Sequence, residues 1–188
     1  MTREEELFLF DKMKKNDKKA LDTLFRHYYA PLCNFALHIV KKAEIAEEVV
    51  ADIFFILWRD RHRLGISCSV RAYLFKAVRN HALRTSKVQQ PFFQQIEEIQ
   101  GRITSDQTPE STYLYNELDK TYQSAFERLP SRCQLVFKLH KIDGLKYHEV
   151  SEVLEISIKT VENQMLKALR MIRAAVLEYD VERSQELG

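Results

Sequence analysis

The sequence predicts an all-α protein: two small helical domains joined by a flexible linker, the second containing a helix-turn-helix. Three observations carry that expectation. Gly and Pro number only four each in 188 residues, few turn residues for a sheet protein of this size. Apolar residues recur with a period near 3.6 through most of the chain. A Gln-rich stretch, Ser86–Ser111, carries Pro91, Gly101 and Pro109 and breaks that rhythm midway. With 45% hydrophobic residues, the chain has enough apolar material to build cores.

The first element is a helix over Leu7–Lys14, with Leu7, Phe10 and Met13 at helical spacing, and Asn16–Asp17 breaks it. Ala20–Val40 follows with an apolar stripe of Leu21, Leu24, Phe25, Tyr28, Leu32, Phe35, Ala36 and Ile39. Pro31 lacks an N–H and is expected to kink or divide this helix. A third helix fits Ile45–Arg59, with Val49, Val50, Ile53, Phe54, Leu57 and Trp58 inward, then a loop over His62–Ser69. A fourth fits Val70–Ser86, with Val70, Leu74, Ala77, Val78 and Ala82 inward. The linker holds at most a short helix at Gln94–Gln100. Beyond it, a helical unit runs from Thr112 toward Leu129. Pro130 opens the next helix, Ser131–Lys141, and Gly144 closes it. The domains are expected at 1–86 and 112–188, with 87–111 between them.

The formal net charge of +2 hides an uneven distribution. Residues 1–85 hold 16 basic against 11 acidic residues, 86–125 hold 3 against 6, and 126–188 hold 10 against 10. Arg59–Arg84 alone carries seven basic residues and one acid. Local charge, rather than the total, attracts a polyanion.

Two short helices close the sequence, EVSEVLEISIKTVENQ at Glu149–Gln164. Val150, Ser151, Leu154, Ile156 and Val161 fit the packing positions of a helix-turn-helix, while Glu155 stands where glycine is usual in the turn. Ser157 is placed to cap the second helix. Val161, Met165, Ala168, Leu169 and Ile172 form its expected buried stripe. Lys159, Asn163, Lys167 and Arg170 form a polar stripe, with Thr160, Glu162 and Gln164 near the exposed N-terminal half. Lys and Arg neutralise phosphates, Asn and Gln pair with adenine edges, and Glu accepts from cytosine.

In Arg59–Arg84, basic residues alternate with Tyr73, Phe75, Asn80 and His81. Charge that tracks a backbone, beside aromatic faces that hold unstacked bases, suits single-stranded or melted DNA. Alternatively, Tyr73 and Phe75 are core and the charges only face solvent. The Ile45–Trp58 helix sets Glu47, Glu48 and Asp52 beside large apolar residues, which suits either protein docking or a core.

No phosphate loop, GxSxG or HExxH is present, and the six histidines do not cluster with carboxylates. An enzyme is not expected, nor is a cofactor or metal. Cys33 with His27 and His38 lacks a convincing fourth zinc ligand. Three scattered cysteines fit a reducing, cytoplasmic setting. The acidic start MTREEELFLF reads as no secretory leader, and no run approaches the ~18 apolar residues of a membrane span.

Taken together, these pieces resemble an extracytoplasmic-function (group IV) RNA polymerase sigma factor, and the resemblance covers nearly the whole chain. AEIAEEVVADIFFILWRDR, Ala43–Arg61, is similar to the region that docks on the clamp helices of the polymerase β′ subunit. RAYLFKAVRNHAL, Arg71–Leu83, is similar to the part that recognises and melts the minus-ten element. Leu129–Arg170 is similar to the domain that reads the minus-thirty-five element.

The resemblance implies roles for particular residues. Glu48, Asp52, Ile53, Phe54 and Trp58 would bind polymerase. Leu64 and Ser67, in the loop that makes the base choice, would act with Tyr73, Lys76, Arg79, Asn80 and Arg84 on the minus-ten element, Asn80 helping to hold a flipped base. Lys159, Thr160, Glu162, Asn163, Gln164 and Lys167 would face the minus-thirty-five element. Implied partners are the β′ and β subunits of core polymerase, promoter DNA and an anti-sigma factor, with no membrane insertion by the chain itself. The linker would thread toward the RNA exit path.

Two departures stand out. Ala51–Asp52 replaces the usual Gln-Glu of the docking motif, and Glu162 and Gln164 replace residues that are often basic. The form TVENQ resembles a subgroup coupled to outer-membrane uptake receptors. The rival reading is an autonomous helix-turn-helix regulator with an N-terminal sensing domain, a dimer on paired half-sites. The balanced charge of 126–188 disfavours it, since few phosphate contacts give low affinity without a partner.

Overall fold

The computed structural model describes residues 1–65, 69–86 and 123–186, the last eight of these as backbone alone. Every regular element among them is helical. The expected linker, Ser67, Cys68 and the start of the unit after the linker lie outside the described residues.

Helix α1 spans Arg3–Lys14. Thr2 caps it, accepting from the Glu5 N–H at 3.2 Å while Glu5 Oε2 accepts from the Thr2 N–H at 2.8 Å. Its inward residues are Glu6, Phe10 and Met13. This corrects the expectation for Leu7, which is 39% exposed. Phe10 and Met13 face inward as expected, and Glu6 takes the inward place in the first turn because its carboxylate meets a partner from another helix there. Glu6 meets the guanidinium of Arg71 at 2.5 Å, and Arg71 also donates to the Tyr28 hydroxyl at 3.4 Å and to the Met1 carbonyl at 3.3 Å.

Helix α2, Lys18–Val40, starts at Asp17, whose side chain accepts from the Lys19 and Ala20 N–H groups. It runs unbroken through Pro31. The ring removes one ladder bond, but Tyr28, Leu32, Phe35, Ala36 and Ile39 around it are all buried and hold the helix together. Helix α3, Ala43–Arg59, buries Ala46, Val49, Val50, Ile53, Phe54 and Leu57. Helix α4, Val70–Ser86, is capped by Ser69, whose hydroxyl accepts from the Ala72 N–H at 3.1 Å. It packs on α1, α2 and α3, and Phe75 meets Phe35 edge-on with centroids 5.2 Å apart.

Past a helical turn at 123–127, helix α5, Ser131–Phe137, continues as a π-helical turn over Lys138–Ile142. Gln134 ties it back by donating to the Phe126 and Glu127 carbonyls, both at 3.0 Å. Gly144, with φ +72, ends it as expected. A Cβ there would run into the Arg71 guanidinium. Helix α6, Tyr147–Leu154, and helix α7, Ile158–Glu186, complete the chain. Helix α6 packs on α4, so the buried residues of both halves form one continuous cluster.

Removing Glu6 strands a mostly buried cation. Glu6→Ala is expected to cost roughly 3 kcal/mol in urea unfolding. Leu7→Ala is expected to change stability by less than about 0.5 kcal/mol. Equal losses would show that the α1 register is misread.

Candidate nucleic-acid interface

The helix-turn-helix is α6, a turn at Glu155–Ser157 and α7. Val150, Val153, Leu154 and Val161 are buried where the two helices touch. Ser157 caps α7 as expected, accepting from the Thr160 N–H at 3.0 Å. Met165, Ala168 and Ile172 extend the buried stripe. Leu169 does not, being 43% exposed. At about 100° per residue it falls roughly 80° from Val161, beyond the edge of the stripe.

On the outer face of α7, Lys159, Glu162, Asn163 and Lys167 are exposed, and Thr160 and Gln164 are half-buried. Lys159 Nζ lies 3.2 Å from Glu162 Oε2. That exposed pair contributes little energy, yet it offsets one of the cations a phosphate would meet. Gln164 Oε1 accepts from the Cys133 thiol at 3.0 Å, which fixes the amide's orientation.

On α4, Tyr73, Lys76 and Asn80 do come together. They line one wall of a cleft of about 560 Å³ whose other wall is His148, Glu149, Glu152 and Val153 of α6. Arg84 is exposed at the end of the helix, and Leu64 is half-buried, its carbonyl accepting from Lys14 Nζ at 3.1 Å. Phe75 is fully buried, so of the two aromatics only Tyr73 is available to a base.

Arg79, which the resemblance would set on the minus-ten element, is not on the surface. Its side chain is 4% exposed because α6 covers it, and Nη1 sits 2.6 Å from Oε1 of Glu155. Nη2 donates to Glu155 Oε2 at 2.8 Å, and Nη1 donates to Asn80 Oδ1 at 3.3 Å. Nε is buried without a partner, an omission that ordinarily costs about 1–3 kcal/mol. Glu155 itself sits in the left-handed region at φ 54, about 1 kcal/mol worse than glycine would be there. The hydrogen bond from Arg79 holds its carboxyl below the usual glutamate value.

The candidate docking face lies on α3. Glu48 and Asp52 are exposed, and Asp52 Oδ2 is 3.1 Å from His81 Nε2 of α4. Ile53 and Phe54 are core residues, 6% and 5% exposed. Phe54 packs edge-on against Phe25. Trp58 is half-buried, with the Arg61 guanidinium 4.1 Å over its ring. The exposed aromatic is Phe55, at 63%, a residue the sequence reading passed over. The signal was present: Glu48, Asp52 and Phe55 stand at i, i+4 and i+7, one helix face.

Among the described residues, no three His, Cys, Asp or Glu side chains gather as a metal site. His27 and His38 therefore do not close on Cys33, and the His38 ring N–H is used on the Asn34 carbonyl at 2.6 Å. No described helix is long and apolar enough to cross a membrane.

Asp143 lies beside Arg71 at the edge of a second cleft, where burial pushes its carboxyl up to about 6. The folded chain therefore holds that proton more tightly than the unfolded chain, whose value is 3.8. The associated stability is fully present below 3.8 and lost as pH rises through about 6. Asp143→Asn is expected to raise Tm by roughly 2–4 °C at pH 7.5, with the gain fading toward pH 4. A gain that does not change with pH would remove burial as the cause.

Comparison with known proteins places these surfaces in context. The family model for sigma-70 region 2 matches residues 24–90, and that for sigma-70 region 4 matches residues 119–172. The RNA polymerase sigma-H factor of Pseudomonas aeruginosa is 20% identical over 185 residues, covering 94% of this chain and 96% of that one. The ECF RNA polymerase sigma-E factor of Haemophilus influenzae is 21% identical over 173 residues, covering 87% and 91%. Among solved structures, CnrH in complex with the cytosolic domain of CnrY is 19% identical with a TM-score of 0.55, over 94% of this chain and 99% of that one. RpoE in complex with the anti-sigma factor NepR from Bartonella quintana is 17% identical with a TM-score of 0.51, over 84% and 97%.

Proposed function

We infer that this chain, which belongs to the sigma-70 family in its extracytoplasmic-function group, directs core RNA polymerase to specific promoters and helps open them. The observation that carries the reading is order: the region 2 and region 4 matches follow one another on a fold that offers a basic α4 and a capped helix-turn-helix. The residue roles below are our proposal.

Core polymerase binds first, through the face of α3 that carries Glu48, Asp52 and Phe55, with the exposed edge of Trp58. Ile53 and Phe54 support that face from beneath. Helix α7 then enters the major groove of the minus-thirty-five element. Lys159 and Lys167 neutralise phosphates, and Asn163, Gln164, Thr160 and Glu162 meet base edges. The minus-ten element is opened against α4. Unstacking a base costs a few kcal/mol. Tyr73 recovers part of this by stacking and Asn80 by hydrogen bonding, while Lys76 and Arg84 hold the backbone, joined by Arg79 once α6 no longer covers it. Leu64, and by the resemblance Ser67, would take part in the base choice. The domains work as 1–86 and 112–188 with 87–111 between them. The protein acts in the cytoplasm, performs no reaction of its own, and is restrained by an anti-sigma partner; RpoE is likewise found in complex with the anti-sigma factor NepR.

Reconstitution with core polymerase on a promoter library, followed by transcript sequencing, tests the reading. Sequence-selective initiation is expected. Tight duplex binding without polymerase, and no initiation with it, would instead establish an autonomous regulator.

Asn80→Ala is expected to lower open-complex formation at least fivefold, the equivalent of about 1 kcal/mol, and to leave polymerase affinity intact. Phe55→Ala does the reverse: core-polymerase affinity falls about tenfold or more while thermal stability holds, because the ring is exposed. Wild-type affinity in Phe55→Ala would remove this face from the docking site.

A further inference from the structure

We propose that Glu155 is an internal stand-in for a DNA phosphate: its carboxylate occupies the Arg79 fork and holds the helix-turn-helix against α4 until promoter and polymerase displace it. This rests on the proposed function and adds a positioning residue to it.

The pair joins residues 76 apart in sequence, across the contact between the two halves of the chain. Both carboxylate oxygens are engaged, at 2.6 and 2.8 Å, the two-point geometry by which arginine also grips phosphate. Glutamate is not there for the backbone's sake. At φ 54 the turn favours glycine, so the carboxylate is what distinguishes the residue. Arg79 is only partly served in this arrangement, since its buried Nε has no acceptor. A phosphate offers more oxygens than the carboxylate and can meet the fork more fully.

The same contact shuts away the rest of the α4 face. Tyr73, Lys76 and Asn80 face His148, Glu149 and Glu152 across the cleft, which Arg3 also lines, so α6 and the exposed carboxylate of Glu152 stand where a polyanion would lie. Lys76 lies near enough to help draw the Glu155 carboxyl down. The arrangement cannot persist on a promoter. Elements about 25 base pairs apart are separated by roughly 85 Å at 3.4 Å per step, whereas a compact chain of this length has a radius of gyration of only about 16 Å. The two halves must part for both elements to be read, and parting breaks the Arg79–Glu155 pair.

The test compares full-length wild type, Glu155→Gln and Glu155→Gly by small-angle scattering and by binding to a short fluorescent single-stranded oligonucleotide without polymerase. Glutamine keeps the side-chain size, and glycine relieves the turn, so folding is retained in at least one variant and is checked by helical circular dichroism. In the folded variants the radius of gyration is expected to rise by at least about a tenth from its compact value. Oligonucleotide affinity is expected to rise about threefold or more, with a steeper salt dependence as Arg79 becomes free to meet phosphate. An unchanged radius in a folded variant overturns the latch. Expansion without any gain in affinity overturns the phosphate stand-in. If wild type initiates from promoters with core polymerase but the variants behave identically to it, the sigma reading stands and this inference falls. If wild type supports no initiation, the functional reading fails whatever the variants do.

Discussion

A buried guanidinium cannot give up its charge, so the surrounding structure must bring acceptors to it. Helix α4 carries two such groups, Arg71 and Arg79, and much of the molecule is arranged around them. Arg71 requires Glu6 at an inward position of α1, and it draws the Tyr28 hydroxyl and the Met1 carbonyl toward the same point. Burial, together with the hydrogen bond to Glu6, keeps the Tyr28 hydroxyl protonated far into the basic range. The Gly144 turn comes close enough to Arg71 that no side chain fits comfortably between them. Arg79 requires Glu155, and so fixes where the turn of the helix-turn-helix rests.

Helix α4 therefore serves two purposes that compete. Its apolar residues, Leu74, Phe75 and Val78, are fully buried and complete the core formed with α1, α2 and α3. Its polar residues form a face suited to melted DNA, and α6 lies across that face. A helix that must hold a core together is a rigid platform for reading bases. The same rigidity makes its polar face a ready surface for another part of the chain. The partnership across it adds to the shared apolar cluster an ion pair that leaves one donor unsatisfied, which suits the exchange of partners proposed for Arg79.

Charge follows the same division. The basic residues are concentrated in Arg59–Arg84, while residues 126–188 are balanced at 10 against 10. In α7 the pairing of Lys159 with Glu162 trims the field further. A helix-turn-helix of that kind binds weakly by itself and depends on a second grip. The exposed Glu48, Asp52 and Phe55 face of α3, proposed for polymerase docking, lies on a different helix from both surfaces proposed to meet DNA, so docking there would not compete with them for the same residues.

Most of the helices and their ends were legible in the sequence because those signals are local. Asp17, Ser157 and Gly144 act within one turn of their own position, and a period of 3.6 reports which face of one helix is apolar. The order of the docking, melting and helix-turn-helix segments was legible too, and with it the family. Five placements were decided only by tertiary structure. Glu6 replaced Leu7 on the inner face of α1 because its partner is 65 residues away. Leu169 was left outside because α7 has neighbours on only part of its circumference. Phe55, rather than Ile53 or Phe54, was left facing outward because α2 and α4 close over the opposite side of α3. Arg79 was buried because α6 covers it, and Glu155 was kept in a glycine's conformation because Arg79 lies beneath it. Periodicity records the preference of one element for burial, but the burial of a charge depends on a partner that is distant in sequence and becomes a neighbour only once the chain has folded.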